Sequence, residues 1–230
     1  MLRRIIYIFS IFFLPVAAHA QFIFQNIRWQ DGLSAKEIRC MYKDASGFLW
    51  IGTSNGLNRF DGAVVRQYKN TEHLTSIYVN AIYPFAGTDS LLIGTKQGIR
   101  IFNKKTGTFS ADKRFDVLKE EVVSVIEADN RDRIWIGTNG KLFVFADGKA
   151  QPASAVIPAA KNIGYQSFNL GAFTWDKSRD GFWVGGSVTY FLDCKRNDLY
   201  DTAHNPLNYP LLDKRETYAI ALDSRNNIWS

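Results

Sequence analysis

The stretch Asp44-Ala-Ser-Gly47-Phe-Leu-Trp50-Ile51-Gly52-Thr53-Ser-Asn-Gly56-Leu57-Asn-Arg-Phe60-Asp61 decides the fold, because the chain repeats it. Its centre returns as Leu91-Leu92-Ile93-Gly94-Thr95-Lys-Gln-Gly98-Ile99, and its first half as Asp129-Asn-Arg-Asp-Arg-Ile134-Trp135-Ile136-Gly137-Thr138. A looser copy runs Asp176-Lys-Ser-Arg-Asp180-Gly-Phe182-Trp183-Val184-Gly185-Gly186, and a fifth opens at Asp223 and reaches Ile228-Trp229. Gly52, Gly94, Gly137 and Gly185 stand 42, 43 and 48 residues apart, and Trp183 and Trp229 stand 46 apart. Self-similarity at roughly 40–50 residues marks an array of equivalent units, none of which buries its apolar faces alone.

Each unit reads as four short strands. An apolar run before the Asp (Ile38 to Tyr42, Val122 to Ile126, Tyr218 to Leu222) is the first, and the Asp-led segment is a hairpin turn. Phe48 to Thr53 follows as the second strand, Asn55-Gly56 turns the chain, and Leu57 to Phe60 and Val64 to Tyr68 complete the unit. Four strands per period is the blade of an all-β protein, a β-propeller, with about four and a half blades present where about seven are expected in the ring. An incomplete ring of this kind would expose two apolar blade faces, and Phe22 to Ile27 is assigned as the outer strand that closes the last blade. Blade four departs from the pattern, with no Gly-Leu after Gly186, which puts its second turn in question.

The repeated core is structural. Trp50, Trp135, Trp183 and Trp229 are rigid wedges between neighbouring sheets, each contributing at most roughly 4–6 kcal/mol of ring burial. Gly52, Gly94, Gly137 and Gly185 leave room for that ring or for a close backbone approach. Leu92 replaces the tryptophan in blade two, so that interface should be thinner. Four residues before each turn Asp stand Cys40, Val125, Ala172 and Ala219, none of them charged, as inner strands crowding an axis require.

The Leu-Trp-Ile-Gly-Thr-x-x-Gly-Leu-x-Arg-Phe-Asp pattern of Leu49 to Asp61 resembles the two-component regulator propeller repeat. The segment Gln21-Phe-Ile-Phe, followed by Asp31-Gly32-Leu33-Ser34, resembles the start of the periplasmic sensor region of sensor histidine kinases and hybrid two-component regulators. The resemblance implies a sensor that binds a small molecule or oligosaccharide, a glycan fragment above all, and biases a downstream kinase. Its implied partners are the downstream domains of the same chain and a second copy of the parent, which would be anchored in the inner membrane. Residues 1–20 read as a signal peptide, with a basic Leu2-Arg3-Arg4, an apolar run from Ile5 to Val16 and a small-residue site at Ala18-His19-Ala20. The propeller domain is then 21–230, exported to the periplasm. Twenty-eight basic and 22 acidic residues leave a net charge of +6 without a basic run, so nucleic acid is not an expected partner.

Catalytic patterns are missing from the sequence. His73 and His204 fall in segments between blades and read as solvated, and His19 lies in the leader. The turn carboxylates Asp44, Asp129, Asp176 and Asp223 read as Asx-turn acceptors for backbone N–H groups. Asp129-Asn-Arg-Asp132 lacks the glycine pivot and bidentate Glu of a calcium loop, and no Lys-Ser/Thr follows Gly52 or Gly56 to make a phosphate loop. No cofactor, metal, phosphotransfer or hydrolysis is therefore expected in this segment. Cys40 and Cys194 belong to blades nearly opposite in a ring of seven and read as free thiols.

Ligand contacts are expected where the chain enters each inner strand, at one mouth of the channel. These segments are Ser34-Ala-Lys36-Glu37, Ser76-Ile-Tyr78-Val-Asn80, Lys119-Glu120-Glu121, Ser167-Phe-Asn169 and Arg215-Glu216-Thr217, which vary while the core stays fixed. Ser34, Lys36, Glu37, Ser76, Asn80, Glu121, Asn169, Arg215 and Glu216 would bond hydroxyls, and Tyr78 would offer a ring for stacking. Two rival classes are a secreted lyase-type propeller enzyme and a protein-interaction scaffold. A lyase needs a base and a charge-stabilising cation or metal at the channel mouth, for which two mature histidines in loops are poor material.

Overall fold

A computed structural model describes residues 26–68, 78–163, 173–213, 217 and 219–230. Residues 1–25, on which the signal-peptide expectation and most of the Phe22 to Ile27 strand fall, and His73, Ser76, Asn169, Ala172, Arg215 and Glu216 lie outside the described residues. Asn26 to Arg28 are not a strand, and a short 3-10 turn at Trp29–Asp31 follows them.

The repeats fold as antiparallel meanders. Blade one is β1 (Ile38–Lys43), β2 (Leu49–Thr53), β3 (Gly56–Phe60) and β4 (Val65–Tyr68). Blade two is β5 (Val79–Phe85), β6 (Ser90–Thr95), β7 (Gly98–Asn103) and β8 (Thr108–Ser110). Blade three is β9 (Val123–Ala128), β10 (Ile134–Thr138), β11 (Lys141–Ala146) and β12 (Lys149–Pro152). Blade four is β13 (Phe173–Asp176), β14 (Gly181–Val184), β15 (Tyr190–Asp193) and β16 (Asp198–Tyr200). The pair β17 (Ala221–Leu222) and β18 (Ile228–Trp229) begins a fifth sheet. The inner strands β1, β5, β9, β13 and β17 lie side by side in that order, and the core is a set of slabs between successive blades. Among the described residues no helix is long and apolar enough to cross a membrane.

Three of the four described slabs are built around one blade's tryptophan. Trp50 is buried against Phe102 of blade two, with ring centroids 5.4 Å apart, and Trp135 meets Phe182 of blade four at 5.0 Å. Trp183 packs on Phe191 and Tyr209, in a cluster that takes in Ile220 and Ile228 of the fifth sheet. Trp229, with no described blade beyond it, is 65% exposed, as is Met41 (64%) on the outer side of blade one.

The turn Asp does more than close its hairpin. Asp44 Oδ1 accepts from the Ser46 and Phe48 amides at 3.0 Å, while Oδ2 accepts from Trp50 Nε1 at 2.8 Å. The same fork recurs at Asp129–Trp135 (3.0 Å), Asp176–Trp183 (3.0 Å) and Asp223–Trp229 (3.3 Å). One carboxylate thus holds a turn and orients the indole six or seven residues on. Burial pushes the Asp176 carboxyl up, but hydrogen bonds from Ser178, Trp183 and Arg179 outweigh it and leave it below the usual range. The Asn227 side chain and amide hold Asp223 down to about 2.

The glycine after Ile serves the next blade rather than the indole. A Cβ on Gly52 would sit 2.6 Å from Val79 Cγ1 and 2.4 Å from Cys40 Sγ; one on Gly94 would sit 2.6 Å from Val123 Cγ1. The threonine that follows locks the second hairpin: Thr53, Thr95 and Thr138 donate to the carbonyls of Gly56, Gly98 and Lys141 at 3.1, 3.0 and 3.3 Å. Blade four, with Gly186 at that place, instead has the longer connection 185–189.

Blade two differs from the thin interface expected. Leu92 is fully buried, and Phe85, Phe115 and Phe145 fill the slab, with centroids 4.9 to 6.2 Å apart. Phe115 comes from a 3-10 segment, Lys113–Leu118, capped by Asp112 accepting from the Arg114 amide. Two further 3-10 turns, Ala153–Ala155 and Pro158–Asn162, lie between blades three and four, so the fold is nearly rather than wholly β. Both cysteines are free. Cys40 Sγ faces the Val79 carbonyl at 3.6 Å, and burial pushes both thiols up to about 12.

Candidate functional site

The inner strands carry a repeated irregularity. Ile38 pairs with Thr53 but Cys40 with Gly52, so Arg39 is an extra residue in its ladder. Asn80 is extra in β5, between Val79↔Thr95 and Ala81↔Gly94, and Ser124 is extra in β9, between Val123↔Thr138 and Val125↔Gly137. A bulge releases one side chain from the ladder and re-aims it. Here it does so at the same height on three neighbouring strands. Arg39 Nε donates to Asn80 Oδ1 at 2.6 Å, and Asn80 Nδ2 donates to the Val123 carbonyl at 2.9 Å, so the row is stitched across three blades.

The bulge row lines a groove of about 600 Å³ across β1, β5 and β9. Below it the same groove is lined by Tyr42, Tyr83 and Glu127, which sit opposite Trp50, Leu92 and Trp135 in their ladders and so form a second layer. All three are half-buried. Burial alone pushes the Glu127 carboxyl up to about 7. Tyr83 is raised first by burial and then by Glu127, Asp132, Tyr42 and Asp129; Tyr42 is raised by burial and then by Asp44.

The expected contact residues divide into two groups. Glu37, Tyr78 and Asn80 come together: Glu37 Oε1 accepts from Arg39 Nη1 at 2.5 Å, and Tyr78 carries Lys96 Nζ 3.4 Å and Arg39 5.8 Å from its ring centroid. Lys96 therefore occupies ring surface that a sugar would need. Lys36 lies over Trp29 instead, at 5.2 Å. Ser34 and Glu121 are spent inside their own blades. The Ser34 hydroxyl meets Thr53 Oγ1 at 2.7 Å and accepts from Asn58 Nδ2 at 2.9 Å; Glu121 accepts from Lys141 Nζ at 2.5 Å and Thr138 Oγ1 at 3.2 Å. His204 is exposed and bonded to Asp198 Oδ2 at 2.9 Å. Among the described residues no group of three or more His, Cys, Asp or Glu could hold a metal ion.

Arg39, Ser124, Tyr42, Tyr83 and Glu127 lie outside the entry segments expected to carry contacts. Their signal is a polar second position and a polar fifth position in aligned apolar strands: Ile38-Arg-Cys-Met-Tyr42, Val79-Asn-Ala-Ile-Tyr83 and Val123-Ser-Val-Ile-Glu127.

Residues 32–55 match the family model described as two component regulator propeller. The matched residues run from the lead-in of blade one through β2. Over 69 residues, 28% of its length, the propeller is 41% identical to histidine kinase P4 of Formosa agariphila, of which it spans 5%. The extracellular domain of a hybrid two-component system from B. thetaiotaomicron superposes on 89% of the propeller with a TM-score of 0.68 at 20% identity, and the propeller covers 28% of that chain. Virginiamycin B lyase from Staphylococcus aureus superposes on 84% of it with a TM-score of 0.54 at 12% identity, with 62% of the lyase covered. At such identities these two solved structures speak for the fold alone, and the fold is shared by a sensor domain and an enzyme.

Proposed function

We propose that this propeller is the extracytoplasmic ligand-sensing module of a two-component sensor, binding a glycan-type ligand and biasing a downstream histidine kinase. The observation that carries the reading is the bulge row Arg39–Asn80–Ser124, which offers fixed donors and acceptors along a groove wide enough for a short saccharide. The N–H groups that Arg39 and Asn80 leave over from bonding each other, Glu37 and the Val123 carbonyl, together with the Ser124 hydroxyl, suit sugar hydroxyls, each of which both gives and takes a hydrogen bond. Residues 1–20 would direct export, and the kinase would lie in other domains of the parent.

The lyase reading fares worse. A histidine-to-alanine form of the Staphylococcus lyase is catalytically inactive, and among the described residues no histidine lines the groove here. The test is made in the full-length parent with Arg39→Ala and Asn80→Ala. Ligand-dependent autophosphorylation should fall at least about tenfold, with Tm changed by no more than a few degrees. A normal response in both variants would remove the groove from signalling.

A further inference from the structure

The lower layer of the groove has a chemistry the upper layer lacks. Glu127, Tyr42 and Tyr83 present a carboxyl and two phenols at one height, and none of the three polar ends has a hydrogen-bond or ion-pair partner among the described residues. A half-buried carboxyl left without a partner is costly, and the cost is removed when a cation arrives. The Tyr83 phenol, close enough to feel the Glu127 charge, adds an acceptor oxygen for the same cation.

The surroundings favour positive charge at this height. From β1 the facing groups are Tyr42 and, at its end, Asp44; from β5, Tyr83. Around the turn after β9 stand Asp129 and Asp132, both felt by Tyr83. From β13 come Trp175, whose buried indole N–H has no partner among the described residues, and Asp176, committed to Ser178, Arg179 and Trp183. Arg133 is held by Asp129 at 2.6 Å. Arg39 is the cation lining the groove, three residues along β1 from Tyr42, which is about 10 Å of strand. Its charge is answered by Glu37 at 2.5 Å.

We propose that the groove takes a saccharide bearing a primary ammonium group: Glu127 pairs with the ammonium beside Tyr83, while Arg39, Asn80 and Ser124 bond the hydroxyls. This rests on the glycan-sensing reading above and narrows it to amino sugars. Because the Glu127 carboxyl sits near 7 when empty, pairing it with a cation pulls it down, so binding just below that pH releases a proton.

The experiment is titration calorimetry of the full chain at pH 6.5 with three probes: the glucosamine disaccharide, its N-acetylated form and cellobiose. The amine should bind about tenfold tighter than either neutral sugar. Repeating it in two buffers of different ionisation enthalpy should reveal release of part of a proton. Glu127→Gln, with its fold checked by Tm, should lose both the preference and the proton. Tyr83→Leu should lose the preference in part while Glu127 still releases its proton. Equal binding of all three sugars, unchanged in Glu127→Gln, would overturn the ammonium assignment and leave the glycan reading standing. Binding of none of them would overturn both.

Discussion

Blades one and two are near copies that solve one packing problem differently. In blade one Trp50 fills the space towards its neighbour, and Asp44, six residues earlier, holds the indole N–H. In blade two both members of that pair are gone: Leu92 stands at the tryptophan position and Ala86 six residues before it. The turn there is closed by Thr88 donating to the Phe85 carbonyl at 2.7 Å, and three phenylalanines supply the missing volume. The difference teaches that Asp and Trp are one device. An indole buried without an acceptor, or a buried carboxylate without its donors, costs more than an apolar pair of similar shape.

The comparison breaks most visibly at its largest side chain. Trp135→Ala should cost about 3–5 kcal/mol in urea denaturation, because the ring is fully buried between blades three and four. A loss below about 1 kcal/mol would mean that the slabs do not depend on their wedges. Next comes Asp129→Ala, expected to cost about 2–3 kcal/mol, since it orphans the Trp135 indole N–H and the Arg133 guanidinium together. If the pair is one device, Asp129→Ala should cost about 1 kcal/mol less once Trp135 is already Phe, which is the coupling read from the double-mutant cycle.

Restoring the tryptophan to blade two should hurt rather than help. Leu92→Trp should lower stability by about 1–3 kcal/mol, as Phe85, Phe115 and Phe145 already occupy the space. The smallest effect belongs to Ala86→Asp. With no indole to orient, it should move the denaturation midpoint by no more than about 0.5 kcal/mol in either direction. A clear gain there would show that the carboxylate earns its place through the turn alone.

The periodic Trp, Gly and Thr were legible in sequence because a residue that returns at the same place in three or four units must answer the same contact each time. The blade count in hand, the strand order and the Asx turns followed. The bond from Asp to the indole did not follow, because its two ends meet only once the hairpin register is known. Register also explains the miss in the groove. Arg39 and Ser124 look like ordinary strand residues and Asn80 like the end of an entry segment, and only the offset between the Gly52 and Thr53 pairings and its counterparts shows that all three stand outside the ladder. Ser34 and Glu121 were chosen for exposure and polarity, and both turned out to close their own blades.

The recurrent bulge gives the channel wall a vocabulary separate from its grammar. In a regular strand, a new side chain at an inward position must also suit its cross-strand neighbour and the sheet face behind it. The extra residue has no such neighbour, so Arg, Asn and Ser occupy equivalent places in three blades whose ladders on either side are alike. Under the proposed reading a ligand preference would be rewritten one codon per blade while the slabs remain as they are, and a library randomised at positions 39, 80 and 124 is the natural starting point for such a change.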